Sequence, residues 1–250
     1  MLLWRSGRDV FDELFLMMGI NIVWLVMCGP LFALALFFAS SGQPMIALVL
    51  CLLNILPFGP ATAALFAVAE RVTEGRSATM RLFFESMRTY ARDSWKLYGV
   101  WIAGMVALAV NVWFYPQISP GLGAFITVLF LYLALIWIAL LIYLGPLLIL
   151  QPDRRIRLMW RNAAVMAFGR PLFTLITAVL MTIILLVSIW IFLLALLLTF
   201  AFLAVWGMRA TQAVIADSEA RREARQAKAS SSSNDDERGP RGQVRPRDPE

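Results

Sequence analysis

The sequence predicts an all-α protein, a polytopic transmembrane helix bundle of about six spans with Gly-Pro-broken helices. Three observations predict it. Apolar residues make up 60% of the 250 residues, against roughly 45–50% in ordinary soluble domains. Several uninterrupted apolar runs reach the ~20 residues needed to cross a bilayer. The charged residues gather between those runs, as they do where loops meet water on either side of a membrane.

Residues 1–13 form a short charged segment with Trp4 near its start. Arg5 and Arg8 are followed at once by Asp9, Asp12 and Glu13, and the next apolar run is too long for a removable signal peptide. The first span covers 14–39 and contains Gly29-Pro30. Pro30 lacks an N–H, which frees the carbonyl of Val26. Ser40-Ser41-Gly42-Gln43-Pro44 is an uncharged turn. The second span covers 45–69 and contains Pro57-Phe58-Gly59-Pro60-Ala61-Thr62.

That stretch is the main irregularity of the sequence. In a continuous helix Pro57 and Pro60 leave the carbonyls of Leu53 and Leu56 without their usual partners. Lipid offers no water to satisfy them, so neighbouring helices or polar side chains must. Two readings fit. In one, the prolines kink a helix, and the ridge of Gly59, Ala63 and Ala67 lets a second helix approach closely. In the other, a helix broken within the membrane builds a solute site from Asn54, Gly59, Pro60 and Thr62, with N–H groups at the new helix start facing the solute.

Residues 70–96 form the first charged loop. Met80, Phe83, Phe84, Met87, Tyr90 and Ala91 recur at helical spacing, which predicts an amphipathic helix with its apolar side among lipid headgroups. Docking of a membrane or cytoplasmic protein partner is the alternative use of this segment. The third span covers 97–115, with Trp95, Tyr98 and Trp101 at one end and Trp113 and Tyr115 at the other, as an aromatic belt requires. An uncharged turn follows, and the fourth span covers 123–150. It contains Gly145-Pro146 near its end. The second charged loop, 151–171, carries five arginines and a single aspartate. The succession Gly-Pro span, basic amphipathic stretch, next span occurs twice, around Gly59-Pro60 and around Gly145-Pro146.

The apolar run 172–205 has no Gly or Pro to mark a turn. Charged and uncharged connections alternate up to this point. A tight hairpin near Ser188–Phe192, giving spans 172–189 and 191–207, keeps the basic residues after 208 on the same side as the other charged loops. A single long tilted helix is the alternative. Residues 208–229 read as a charged helix. Residues 230–250 are Ser-, Asp-, Arg-, Gly- and Pro-rich and predict a disordered tail. The positive-inside rule places both termini and both charged loops in the cytoplasm.

Gly59-Pro60-Ala61-Thr62-Ala63-Ala64-Leu65-Phe66 resembles the signature of the YesL family, bacterial integral membrane proteins of unknown function. Leu16 to Pro30, with its Asn21 and Trp24, resembles the family's opening span. Phe83-Phe84-Glu85-Ser86-Met87, Arg161-Asn162-Ala163 and Arg170-Pro171-Leu172 resemble later segments, so that the likeness covers about residues 10–210. A second long apolar run between Pro30 and Pro57 departs from the family's usual spacing. The resemblance implies a cell-membrane protein that keeps company with carbohydrate uptake systems.

Several chemistries are excluded. The chain has no histidine, hence no imidazole base or metal ligand. Cys28 and Cys51 both lie in apolar runs and read as buried small hydrophobes, not as a disulfide or a metal site. No phosphate-binding loop, nucleophile elbow or zinc-protease motif is present. No span carries an ionisable side chain at mid-depth, which proton-driven pumps need. Asn21, Asn54, Asn111, Thr62, Thr127, Thr177 and Thr182 supply the interior polarity. The expectation is a protein that is not an enzyme and uses no metal or cofactor. It binds no nucleic acid, and its partners are the bilayer and another protein at 70–96. A transporter of a small neutral or anionic solute, of the saccharide class, is the alternative.

Overall fold

The computed structural model describes residues 5–6, 13–118, 120–191 and 197–237. Among them are eight helices and no strand: α1 (Leu14–Ser40), α2 (Pro44–Leu53), α3 (Ile55–Thr73), α4 (Met80–Ile118), α5 (Pro120–Leu150), α6 (Ile156–Gly169), α7 (Pro171–Trp190) and α8 (Thr199–Glu237). Six of these helices are long and apolar enough to cross a membrane. The chain divides into two compact units, Met1–Thr211 and Gln212–Glu250. The second is the later, charged part of α8, where Arg221 pairs with Asp217 one turn back at 2.7 Å.

The prolines do not interrupt the helices where the sequence predicts breaks. Pro30, Pro60 and Pro146 lie inside the continuous helices α1, α3 and α5. The interruption falls at Asn54, between α2 and α3. Pro57 then stands in the first turn of α3, where its missing N–H costs no helical bond. The expected second span, 45–69, is therefore two helices. Pro60 is tolerated because the carbonyl it frees has another donor: the Trp95 indole N–H reaches the Leu56 oxygen at 2.9 Å.

The 70–96 segment and the third span are one helix. After a turn at Glu74 and Gly75, α4 runs for 39 residues, about 58 Å at ~1.5 Å per residue. That is nearly twice the ~30 Å of a hydrocarbon core. All its charges lie at or before Lys96, and none follow to its end. Much of the apolar side of the charged half packs on protein, while Phe84 of the same stripe stays exposed. Phe83 is fully buried in the main core, with Met80 and Met87 packed around it. The partners are Met17, Ile20 and Trp24 of α1, Ala61 to Val72 of α3, and Ala201 to Met208 of α8. An amphipathic stripe identifies an apolar neighbour without saying whether that neighbour is lipid or protein, and here it is largely protein.

Residues Pro57–Pro60 stand level with Trp95, next to the last charge of α4. The contacts that fix this register are Leu56 with Trp95, Phe58 with Tyr98 (ring centroids 5.4 Å apart), and Gly59 with Ser94. The motif thus lies beside the boundary between the charged and apolar halves of the bundle, not in the middle of the apolar half.

The far end of the bundle is built from hairpins. α1 and α2 form one across Ser41–Gln43, with Gly42 in the left-handed region at φ 75°. α4 and α5 form another, clasped by two tryptophans. The Trp101 indole donates to the Trp137 carbonyl at 3.1 Å, and the Trp137 indole to the Trp101 carbonyl at 2.9 Å. Gly104 permits this approach, since a Cβ there would run into the Trp137 ring. The apolar run after Arg170 divides into two helices, α7 and α8. Of the expected turn at Ser188–Phe192, Phe192 lies outside the described residues. α8 continues through Glu237, so 230–237, expected as disordered tail, is helical. Extending an existing helix is far easier than nucleating one. Residues 238–250, and most of the expected 1–13 segment including Trp4, also lie outside the described residues.

Candidate functional site

A cavity of about 630 Å³ opens inside the first unit, within the ~300–1,000 Å³ range of small-molecule sites. Its walls come from seven helices, every one except α2. The inner end is aromatic. The Trp24 indole stacks on Phe200 at 4.1 Å and meets Phe58 edge-on at 5.9 Å, and Phe58 in turn meets Tyr98. Trp24 sits mid-helix, so its N–H needs a partner inside the protein. It has one in the Thr62 hydroxyl, at 3.1 Å.

The same region anchors the start of α8. The first N–H groups of a helix have no partner in their own helix. Here the Asn21 side-chain oxygen accepts from the N–H of Phe200 (2.9 Å) and of Ala201 (3.1 Å). The Thr199 hydroxyl donates to Ser188 at 2.7 Å. Asn21 acts as a helix cap supplied from a residue 179 positions away in sequence. Elsewhere on the wall, Thr174 donates to the Ala167 carbonyl at 3.3 Å, and the Tyr143 hydroxyl, outside the lining, lies 2.7 Å from Thr174. Since Thr174 has its proton on Ala167, Tyr143 is the donor of the second bond.

Of the residues singled out in the sequence, Thr62 lines the cavity, whereas Asn54, Gly59 and Pro60 do not. Gly59 and Pro60 are buried, and a Cβ at Gly59 would lie 3.3 Å from the Ser94 hydroxyl oxygen and from the Trp95 ring. Asn54 is buried at the α2–α3 junction, and its side-chain oxygen has no protein partner. Gly29 has open space around it. Gly145 instead permits a close approach, because a Cβ there would meet the Phe66 ring. Pro146 frees the carbonyl of Ile142, which faces Gly207 of α8. Cys28 is buried and Cys51 exposed, both as free thiols, so the expectation of two buried cysteines holds only for the first. Asn111 turns back onto its own helix, donating to the Ala107 carbonyl at 2.6 Å.

Sequence reasoning missed Tyr98, Thr174 and Phe200 as wall residues. One signal was available for the site as a whole. Trp24 lies in the interior of a span instead of at an end, and Asn21 is one turn before it on the same face.

The fold defines a multi-pass helical membrane protein. Residues 17–113 match the family model described as "Protein of unknown function, DUF624", and over that stretch the chain is similar to that family. The matched part covers nearly all of α1 through the apolar half of α4, and with it Trp24, Phe58, Thr62 and Tyr98. The walls from α5 to α8 lie outside it. No curated protein and no solved structure matches the chain.

Proposed function

We propose that the protein is a non-catalytic accessory or scaffold component of a bacterial cytoplasmic membrane, of the YesL type, associated with carbohydrate uptake. On this reading both termini and the charged end of the bundle face the cytoplasm, following the positive-inside rule. The observation that carries it is where the interior polar groups go. Asn21 caps α8, Trp24 bonds Thr62, Tyr143 bonds Thr174, and Ser188 bonds Thr199. Every one of these contacts holds helix to helix, the ordinary role of polar side chains in membrane bundles. The cavity walls contain no ionisable acid or base other than the Tyr98 phenol. A sugar needs many convergent hydrogen-bonding groups, and here most of them are already engaged.

Two measurements test the reading together. Purified protein is unfolded thermally against a panel of mono- and oligosaccharides and small organic anions, and its co-purifying membrane proteins are identified. The expected result is no saturable shift of the midpoint, together with a stoichiometric membrane partner. A concentration-dependent rise, the signature of ligand binding to the native state, overturns it.

A second reading is a transporter of a small neutral or anionic solute, with a site at Asn54, Gly59, Pro60 and Thr62. The buried, unpartnered oxygen of Asn54 favours it, since such a group is usually satisfied. Asn54→Leu combined with Thr62→Val then abolishes a solute-induced shift while the protein remains folded. Retention of the shift removes these residues from the site.

A further inference from the structure

We infer that the cavity is a lateral binding slot for one acyl chain of a bilayer lipid, with the chain's ester oxygen held by the Tyr98 hydroxyl. The inference goes beyond the accessory reading and requires only that the bundle sits in a bilayer.

Four observations carry it. The walls are almost wholly aliphatic and aromatic, which suits hydrocarbon and gives a polar solute little to bond. The mouth opens sideways, between α5 and α7. Ile138, Val179 and Ile183 line the cavity and are also about half exposed on the outer surface of the apolar helices, so entry is from the hydrocarbon and not from water. The slot also has the right length. Its α7 wall runs from Pro171 to Leu185, a rise of about 21 Å, which exceeds the ~15 Å depth of one leaflet's hydrocarbon. Its Pro171 end adjoins Arg170 and the basic segment before it, where a headgroup belongs, and its Leu185 end lies in the apolar half, where a chain terminus belongs.

The fourth observation is polar. Tyr98 is fully buried, forms part of the wall, and its hydroxyl has no protein partner. Native structures seldom leave a buried phenol O–H unbonded, because the desolvation goes uncompensated. A phenol donates, so the missing partner is an acceptor. Thr62, on the same wall, receives the Trp24 N–H on its oxygen and retains a hydroxyl proton to donate. A phenol donor, with the Thr62 hydroxyl on the same lining, in an otherwise aliphatic slot matches an ester oxygen at the head of an acyl chain. Tyr98 also stands two residues beyond Lys96, the last charge of α4, at the depth where ester groups lie.

Photo-crosslinking in vesicles tests this. The full-length protein is reconstituted in vesicles containing phosphatidylcholine with a diazirine on one acyl chain, irradiated, and mapped by peptide mass spectrometry. Leu65 and Ala204 line the cavity and are buried from the outer surface, so bulk lipid cannot label them. Leu129, outward-facing on α5 and absent from the walls, reports bulk lipid. The expected result is labelling of all three in the native protein. Ala178→Phe and Ala139→Phe, which fill the slot from opposite walls, should each reduce Leu65 and Ala204 labelling at least tenfold and leave Leu129 unchanged. Equal Leu129 labelling in native protein and variants shows that each variant is folded and inserted. Tyr98→Phe, which keeps the ring, should reduce inner labelling about threefold, the size of one neutral hydrogen bond. Labelling of Leu129 alone in the native protein overturns the proposal, and so does inner labelling that survives both filling variants. Loss in the filling variants with no change in Tyr98→Phe overturns the hydroxyl anchor. None of these outcomes depends on whether a membrane partner co-purifies.

Discussion

Helices α3 and α5 have both been read as membrane spans, yet their surroundings are opposite. In the most apolar stretch of α3, 56% of residues are buried inside the protein; in that of α5, 6% are. α3 is sheathed by α1, α4, α5 and α8, and its alanines at 61, 63 and 64 are completely enclosed. The first part of α5 presents Phe125, Leu129 and Tyr132 outward, and its later residues turn inward around Tyr143 to Leu148. An apolar helix therefore has two distinct ways of satisfying its side chains in one chain. Where protein surrounds it, close packing and polar satisfaction fix its position. Where lipid surrounds it, few outward side chains matter individually, because lipid tails are as apolar as the side chains they touch.

The contrast is broken or sharpened by mutation, and the largest effect should fall where a buried polar contact joins two enclosed helices. Asn21→Leu removes the acceptor from two N–H groups at the start of α8 and places an aliphatic group against them. Each unsatisfied buried group costs about 1–3 kcal/mol, so a loss of about 2–5 kcal/mol is expected. Thermal unfolding in a single detergent checks it. A change below about 0.5 kcal/mol would mean that water reaches this end of α8 and that the enclosed region is less enclosed than its geometry indicates.

Two glycines come next, and they differ instructively. A methyl group at Gly104 meets the Trp137 ring, which cannot move easily. It is held by the exchange with Trp101 and stacked on Trp160 at 4.6 Å. Gly104→Ala should cost about 2–3 kcal/mol, the upper part of the overpacking range. A methyl group at Gly145 meets the Phe66 ring, but that ring borders the cavity and has somewhere to go. Gly145→Ala should cost only about 1 kcal/mol. Phe66→Leu in the same chain should relieve that cost, whereas no single change should relieve Gly104→Ala. A double-mutant cycle on Gly145 and Phe66 measures the coupling.

Much of this fold is written in the sequence at the level of element type. Runs of apolar residues of spanning length, aromatic ends and clustered arginines specify helices without reference to any neighbour. What the sequence does not contain is the identity of each helix's surroundings. Met80, Phe83 and Met87 show the same spacing whether they face lipid or Met17 and Val68. Proline is equally ambiguous. Pro57 and Pro60 signal an irregular helix, but Pro60 stays within α3 because a tryptophan 39 residues beyond Leu56 donates to the carbonyl that Pro60 leaves free. Gly145 reads locally as a helix breaker; only the position of Phe66 reveals it as a contact point. The candidate site is the least legible feature. Thr62 falls inside the conspicuous motif, whereas Tyr98, Thr174 and Phe200 lie in three other helices and come to one cavity only through the tertiary arrangement.

The smallest effect should come from the lipid-facing side, and its smallness is the point. Leu129 is exposed on α5. In a water-soluble protein, replacing a core leucine by alanine costs about 2–5 kcal/mol, part transfer and part cavity. Neither contribution arises at Leu129, because lipid closes over the shorter side chain. Leu129→Ala should therefore shift stability in vesicles by less than about 0.5 kcal/mol. Leu65→Ala on enclosed α3 removes the same atoms from a site that bulk lipid cannot reach and should cost about 2 kcal/mol or more. A ratio near one between these two leucines would mean that α3 is as lipid-exposed as α5, and the distinction between the two helices would fall. A ratio of four or more ties the difference to packing, since the two substitutions delete identical groups.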